Sequence, residues 1–191
     1  MQNKLTIIFF IILNLTIFNA NSDDQINFDV SEIQILDGGN KIIGKNRGTI
    51  TTNNGIIIEA DEFEFNKIKN VLKAKGNINI QDKVNSFSFA AQNILYNQNN
   101  EKIVIKGKSD FLIDNSYSFI TENITIFRDK KIISSDEGGV IFDNNKQIRY
   151  EIGKFSYSFE NEILKGEKIF INTKYNQPFS DKYYFKTAIF N

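Results

Sequence analysis

The chain has 191 residues, with 23 basic and 23 acidic side chains, and contains 18 phenylalanines and 7 tyrosines but no histidine, cysteine or tryptophan. Balanced charge without a basic stripe argues against a nucleic-acid-binding protein, which must neutralise phosphates. Without cysteine there is no disulfide or thiolate chemistry, and without histidine the commonest general base and metal ligand is missing. We therefore predict that the chain is not an enzyme and has no catalytic residues, no metal site and no cofactor.

The N-terminal segment has the pattern of a secretory signal peptide. Lys4 supplies a positive charge, residues 5–13 form an apolar run, and Ala20 and Ser22 place small residues at a cleavage site. The alternative is an uncleaved membrane anchor, but the apolar run is short for a span of about 20 residues. We predict that residues 1–22 are removed and that the mature protein acts outside the cytoplasm.

After the signal segment, apolar and polar residues alternate with a period of two. Successive side chains of a strand point to opposite faces, so this pattern predicts strands with one apolar and one polar face. The clearest runs are residues 62–65, 77–80, 86–89, 123–126 and 155–159. Turn-forming residues separate the runs at 37–40, 53–55, 97–100 and 143–145. No helical periodicity is sustained, and we predict an all-β chain with no helix longer than two turns.

Pairs of predicted strands repeat with a period close to 30 residues. The copies begin near residues 30, 60, 91, 121 and 152, which makes about five strand-pair repeats. In two copies an opening Ala and a closing Gly are 16 positions apart, namely Ala60 with Gly76 and Ala91 with Gly107. Such a period predicts an array whose units cannot bury their apolar face alone. We interpret the closing glycines as bends, bulges or close backbone approaches.

The repeated phrase resembles the OstA-like domain of lipopolysaccharide transport. The resemblance rests on residues 57–66 (IIEADEFEFN) and 72–82 (LKAKGNINIQD), it recurs at 91–107, and it extends over about 28–172. It implies a folded-over antiparallel sheet, a β-jellyroll or β-taco, with an apolar interior and open edges at both ends. It also implies a periplasmic location, associated with the outer membrane of a Gram-negative bacterium.

The resemblance suggests a division of the mature chain. We predict an OstA-like β-jellyroll domain over 23–175, followed at 176–191 by the start of a further, truncated β segment. This aromatic tail is similar to the passage into the membrane barrel of the outer-membrane lipopolysaccharide-assembly protein. The chain would then be the N-terminal periplasmic part of that protein, or the related periplasmic bridge protein. The absence of cysteine departs from the better-known assembly proteins, which connect this domain to the barrel by disulfides.

The resemblance implies a lipid-conduit module that carries the acyl chains of lipopolysaccharide across the periplasm. The apolar positions expected to line its groove are Phe63, Phe65, Ile78, Ile80, Phe87, Phe89, Ile124, Ile126, Phe155 and Tyr157. The same positions also fit an ordinary dry core. We expect Phe28, Val30 and Ile33 to mark an edge strand that pairs with homologous β-modules of the transport bridge. Further expected partners are lipopolysaccharide and, if the chain continues, an outer-membrane barrel.

A second hypothesis is a right-handed parallel β-helix that serves as an adhesin or a carbohydrate-binding scaffold. Its coils also repeat and its core has a similar composition. A polysaccharide lyase on that fold is a third hypothesis, but no set of basic and acidic residues gathers on one face of the pattern. Hairpin-type turns such as 53–55 favour antiparallel pairing over the β-helix.

Overall fold

The structure is a computed structural model that describes residues 26–113 and 117–190. The predicted signal peptide and its cleavage site after Ser22 lie outside the described residues. Within them the chain forms a 15-stranded sheet and two 3-10 turns, Asp37–Gly39 and Gln98–Asn100. The strands are β1 (Ile26–Leu36), β2 (Lys41–Thr52), β3 (Ile56–Ala60), β4 (Glu62–Asn66), β5 (Val71–Asp82), β6 (Phe87–Asn97), β7 (Lys102–Lys106), β8 (Lys108–Ile113), β9 (Tyr117–Glu122), β10 (Ile124–Phe127), β11 (Ile132–Ser135), β12 (Gly139–Asp143), β13 (Ile148–Ser158), β14 (Ile163–Thr173) and β15 (Lys182–Phe190).

Strand pairing in the described residues is antiparallel throughout. The predicted all-β, antiparallel fold is therefore confirmed, and this part of the chain is not a parallel β-helix. Among residues 26–113 and 117–190, strand β1 pairs only with β2 and β15 only with β14, so these two strands form the edges of the described sheet. In the described part of the chain, no helix has the length and apolar character needed to cross a membrane.

The strands bend along one line, which we call the seam. Backbone hydrogen bonds connect neighbouring bends. The Arg47 backbone N–H donates to the Asp61 carbonyl at 3.0 Å, and the Asp61 backbone N–H donates to the Gly76 carbonyl at 3.0 Å. Several residues there have positive φ angles, as the sharp change of direction requires. Those with positive φ are Asn46, Arg47, Gly76, Asn77, Gly107, Asn123, Gly138 and Lys168.

In the described residues, the seam divides the sheet into two halves of eleven strand segments each. Half A contains residues 26–30, 48–52, 56–60, 78–82, 87–91, 108–113, 117–122, 139–143, 148–152, 169–173 and 182–185. Half B contains residues 32–36, 41–45, 62–66, 71–75, 93–97, 102–106, 124–127, 132–135, 154–158, 163–167 and 187–190. The sheet folds at the seam, so that the apolar faces of the two halves pack against each other.

The sequence repeat corresponds to one complete circuit of this folded sheet. From Ala60 the chain crosses half B, returns to the seam at Gly76, crosses half A and reaches the seam again at Ala91. The predicted role of the closing glycines is confirmed: Gly76 has φ +77°, and an added Cβ would lie 2.5 Å from a carboxylate oxygen of Asp61. Alternation also places side chains as predicted, with Phe63 and Phe65 buried while Glu62 is exposed.

Candidate functional site

An unbroken apolar row crosses the inner face of each half of the sheet. Each row takes one residue from each strand it crosses, and the residues face one another in register. With strands about 4.8 Å apart, each row extends over roughly 48 Å. In half A the row is Phe28, Ile50, Ile58, Ile80, Phe89, Phe111, Phe119, Ile141, Tyr150, Ile171 and Tyr183. In half B it is Ile35, Ile42, Phe65, Leu72, Tyr96, Ile103, Ile126, Ile133, Tyr157, Leu164 and Phe190.

The apolar rows continue into exposed side chains at the edges of the sheet. On β1, Ile35 is 65% exposed, and on β15, Tyr183 is 49% exposed. Between these ends most row residues are buried, because the other half of the sheet covers them. Both ends of the interior therefore present apolar surface and unpaired strand edges, a combination typical of surfaces that add another strand.

The structure brings all ten predicted groove residues into one core. Half A contributes Ile78, Ile80, Phe87 and Phe89, and half B contributes Phe63, Phe65, Ile124, Ile126, Phe155 and Tyr157. Tyr157, with 8% of its surface exposed, is the least buried of them. Close packing of this kind is the ordinary state of a protein interior. Contact of these residues with lipid stays a prediction.

Aromatic rings hold the halves together across the interior. Phe28 of half A and Phe65 of half B have ring centroids 6.2 Å apart. Further along the fold, Phe119 of half A lies 6.0 Å from Phe155 and 6.1 Å from Tyr157 of half B. Ring pairs at these separations add roughly 0.5–1.5 kcal/mol beyond their buried area.

The three residues predicted to mark an edge lie on strand β1, which is an edge strand. Phe28 and Val30 are half-buried against the core, whereas Ile33 is 47% exposed. Ile33 therefore offers the most accessible apolar side chain of the three. Pairing of this strand with another module stays a prediction.

A buried polar cluster closes the side of the fold opposite the seam, which we call the mouth. The turns of half A on this side (53–55, 83–86 and 144–147) form rim A, and the turns of half B (67–70, 98–101, 128–131 and 159–162) form rim B. Arg128 of rim B donates from Nε to Asp82 Oδ2 at 2.5 Å, and from Nη2 to the Asn54 carbonyl of rim A at 2.9 Å. Its Nη1 pairs with Glu101.

Two further side chains complete this cluster. The Asn54 amide donates to the Tyr96 hydroxyl at 2.7 Å and to Glu101 Oε1 at 2.7 Å, and the Tyr96 hydroxyl donates to Glu101 Oε1 at 3.0 Å. We call Asn54, Asp82, Tyr96, Glu101 and Arg128 the mouth network. The side chains of Arg128 and Asp82 are 5% and 0% exposed, so their ion pair is shielded from water.

The mouth network keeps its charges because they are paired. Burial by itself raises the pKa of Asp82, but hydrogen bonds from Arg128 and Asn85 outweigh it, and the pKa lies below its ordinary value. Burial by itself lowers the pKa of Arg128, but Asp82 outweighs that effect and the pKa is raised. Burial also raises the pKa of the Tyr96 hydroxyl, which stays neutral. Asp82 and Arg128 are therefore both charged at neutral pH.

Sequence reasoning did not identify the mouth network. Its members are up to 74 residues apart, and only folding of the sheet brings them together. The sequence repeat does contain a feature that points to the mouth network. The equivalent first position of four successive rim B turns holds Lys67, Gln98, Arg128 and Phe159, whose N–H groups each donate to the preceding turn. Arg128 is a buried cation at this position, and a buried cation needs anionic partners.

The outer face of half B carries an open cavity of 610 Å³. Its walls include Leu95 and Val104 together with charged side chains such as Lys45, Lys75 and Lys106. These residues alternate with the buried ones and point away from the core. Among the described residues, no three His, Cys, Asp or Glu side chains gather in a way that would hold a metal ion.

Comparison with known proteins agrees with the fold. No family model matches the sequence, and no curated protein matches it. A solved structure similar to this chain is that of LptH from Pseudomonas aeruginosa, described as the LptA homologous periplasmic component of the conserved lipopolysaccharide transport device. The match has a TM-score of 0.53 and 13% sequence identity, and covers 67% of this chain and 93% of LptH. This chain therefore has the fold of LptH.

Proposed function

We propose that this chain is a module of lipopolysaccharide export that carries acyl chains through the interior of its folded sheet. The observation that carries the proposal is the pair of apolar rows, which run without interruption from edge strand β1 to edge strand β15. The fold shared with LptH, a periplasmic component of lipopolysaccharide transport, points in the same direction.

The chemistry of such a conduit requires apolar area and no catalytic group. Each acyl methylene removed from water gains about 0.8 kcal/mol, so a lipid with several long chains does not cross an aqueous compartment unaided. A continuous inner surface of Ile, Phe and Leu offers similar contacts at every strand. A chain can therefore move from one strand to the next without a large change in free energy. The energy for directional movement would come from another component.

The open edges support an assembly of several modules. Strands β1 and β15 each have one side without a partner strand in the described residues. An incoming strand would pair its backbone with either edge and extend the inner face. Because the apolar rows end in exposed Ile35 and Tyr183, such an addition would also continue the interior from one module to the next.

We further propose that the chain acts in the periplasm and that residues 1–22 are a signal peptide. The domain would be either a bridge protein related to LptA or the N-terminal part of the outer-membrane assembly protein LptD. In the second case residues 176–191 would lead toward a membrane barrel. Strand β15, Lys182–Phe190, joins the same sheet through β14, with most of its side chains exposed.

Site-specific photo-crosslinking in living cells tests the proposal. A benzophenone amino acid replaces Phe63 or Phe89 on the inner face, and in matched controls it replaces the neighbouring Glu62 or Ser88 on the outer face. We expect lipopolysaccharide adducts from the two inner positions only. Equal labelling of both faces, or none, would leave the inner residues as ordinary core and remove the reason for a conduit.

A further inference from the structure

The mouth network raises the question of how a lipid would reach the core, because the network joins the two rims. Arg128 and Glu101 lie on rim B, Asn54 lies on rim A, and Asp82 is the last residue of β5 in half A, directly before the rim A turn 83–86. The Arg128–Asp82 ion pair and the Asn54 hydrogen bonds to Tyr96 and Glu101 therefore all connect one half of the sheet to the other. In this arrangement the mouth is shut at its middle.

Each rim keeps its own partners if these contacts separate. On rim A, Asp82 still accepts from the N–H groups of Val84 and Asn85, both at 3.0 Å, and from the Asn85 amide at 2.9 Å. On rim B, the Arg128 side chain stays paired with Glu101, and the Arg128 backbone N–H donates to the Glu101 backbone carbonyl at 3.0 Å. Opening therefore leaves Asp82 without Arg128 but hydrogen-bonded to Val84 and Asn85, and leaves Arg128 paired with Glu101.

The contacts of the mouth network are polar, so water can replace them when the two rims separate. Water replaces a hydrogen bond to a charged group with a net change of about 1.5–3 kcal/mol. Separated apolar surfaces would instead be exposed to water at a loss of about 25 cal/mol per Å². Stability alone does not require an ion pair at this place. Replacing a buried ion pair with well-packed apolar side chains often leaves the stability of a protein unchanged or increases it.

We propose that the mouth network is a lateral gate, which opens to admit the acyl chains of a lipid to the core and closes behind them. This inference rests on the proposed function, since it concerns how the same interior is reached. In this proposal Arg128 closes the gate. Arg128 binds Asp82 of half A when the gate is shut, and it remains paired with Glu101 when the gate is open.

Distances between spin labels on the two rims test the closure without any lipid. Because the chain has no cysteine, Val84→Cys on rim A and Asp129→Cys on rim B give two unique labelling sites, and both native side chains are exposed. In the purified protein we expect one short distance by double electron–electron resonance. Arg128→Met should shift the distribution to longer distances. Added lipopolysaccharide should produce the same shift in the wild-type background.

Arg47→Met is the matched control, because Arg47 also contacts two carboxylates and a carbonyl, but at the seam. It lies 3.2 Å from Asp61, 3.5 Å from Glu59 and 3.2 Å from the Asn77 carbonyl. This variant should leave the rim distance unchanged. If Arg128→Met fails to fold, Asp82→Asn removes the charge that Arg128 binds on the other half of the sheet. An unchanged distance in a folded Arg128→Met or Asp82→Asn protein would overturn the gate.

Locking the mouth tests the passage of lipid. A short, reductively cleavable crosslinker joins the cysteines at positions 84 and 129 in protein that also carries the photo-probe at Phe89. The lock should abolish lipopolysaccharide adducts, and reduction should restore them. A control crosslink between Lys69→Cys and Asn99→Cys, which are neighbours on rim B, should have no effect.

Undiminished adducts in the locked protein would overturn the gate. Adducts missing from both locked and unlocked protein would overturn the proposed function and, with it, the passage of lipid. In that case the distances between the two spin labels, measured without lipid, still show whether the mouth network holds the two rims together.

Discussion

The rings of Phe87 and Phe159 stack across the mouth, with centroids 5.3 Å apart and an angle of 13° between their planes. Phe87 belongs to half A, and Phe159 follows strand β13 of half B. Phe87 also lies 6.0 Å from Phe89 and 6.5 Å from Phe111, so it joins the mouth to the aromatic core. Alongside the polar network, this stack is the apolar part of the closure.

Truncation of Phe87 should destabilise the protein more than truncation of its partner. Phe87 is 3% exposed, so Phe87→Ala should lower the free energy of unfolding by about 3–5 kcal/mol. Phe159 is only half-buried, and Phe159→Ala should have a smaller effect. Urea unfolding measures both, with Phe179→Ala, at an 89% exposed side chain, as the neutral control. Equal stabilities of the Phe87 and Phe179 variants would contradict the described core.

Acid should weaken the mouth network through Asp82. Because the folded-state pKa of Asp82 is below its ordinary value of 3.8, its contribution to stability is present above that value and is lost as pH falls through the folded-state pKa. Asp82→Asn lacks this contribution at every pH. The difference in unfolding free energy between wild type and Asp82→Asn should therefore be largest near neutral pH and shrink below about pH 4. A difference that stays constant down to pH 2 would exclude a charged Asp82.

The seam glycines should differ in their tolerance of a side chain. Gly138 and Gly107 have similar positive φ angles, +73° and +86°. A Cβ at Gly138 would lie 1.8 Å from the Ile152 carbonyl oxygen, whereas nothing lies within 4 Å of one at Gly107. Both alanine variants carry the backbone strain, of about 1–2 kcal/mol, but only Gly138→Ala adds a clash with backbone. Thermal unfolding should show the larger loss for Gly138→Ala, and equal losses would argue against the described seam.

A charge on the edge strand should prevent strand addition. We expect the wild-type protein to self-associate with rising concentration in sedimentation velocity experiments. Ile33→Lys should abolish this association, because a charged edge resists pairing. Ile68→Lys is the control: Ile68 is 76% exposed and lies in a rim B turn. Association that survives Ile33→Lys but not Ile68→Lys would locate the interface at the rim instead of the edge.

Much of the fold could be predicted, because it depends on the alternation of apolar and polar residues within each strand and on the spacing of the glycines. Alternation assigned Phe63 and Phe65 to one face of a strand, and the repeat located the bends at Gly76 and Gly107, where backbone geometry requires positive φ. Alternation alone did not predict the mouth network, because Asn54, Asp82 and Arg128 belong to different strand pairs and meet only after the sheet folds. A pattern of period two reports the face of a side chain and gives no information on contacts between turns.

Methyl NMR with isoleucine labelling tests the lipid conduit most directly, since isoleucines lie on both faces of the sheet. Ile78, Ile80, Ile124 and Ile126 are buried in the core, whereas Ile120 and Ile189 lie on the outer face and are 49% and 65% exposed. With lipopolysaccharide bound, we expect intermolecular nuclear Overhauser effects from acyl methylenes to the core methyl groups and none to the outer pair. Contacts confined to Ile120 and Ile189, or an unchanged core spectrum in saturating lipid, would contradict a conduit through this fold.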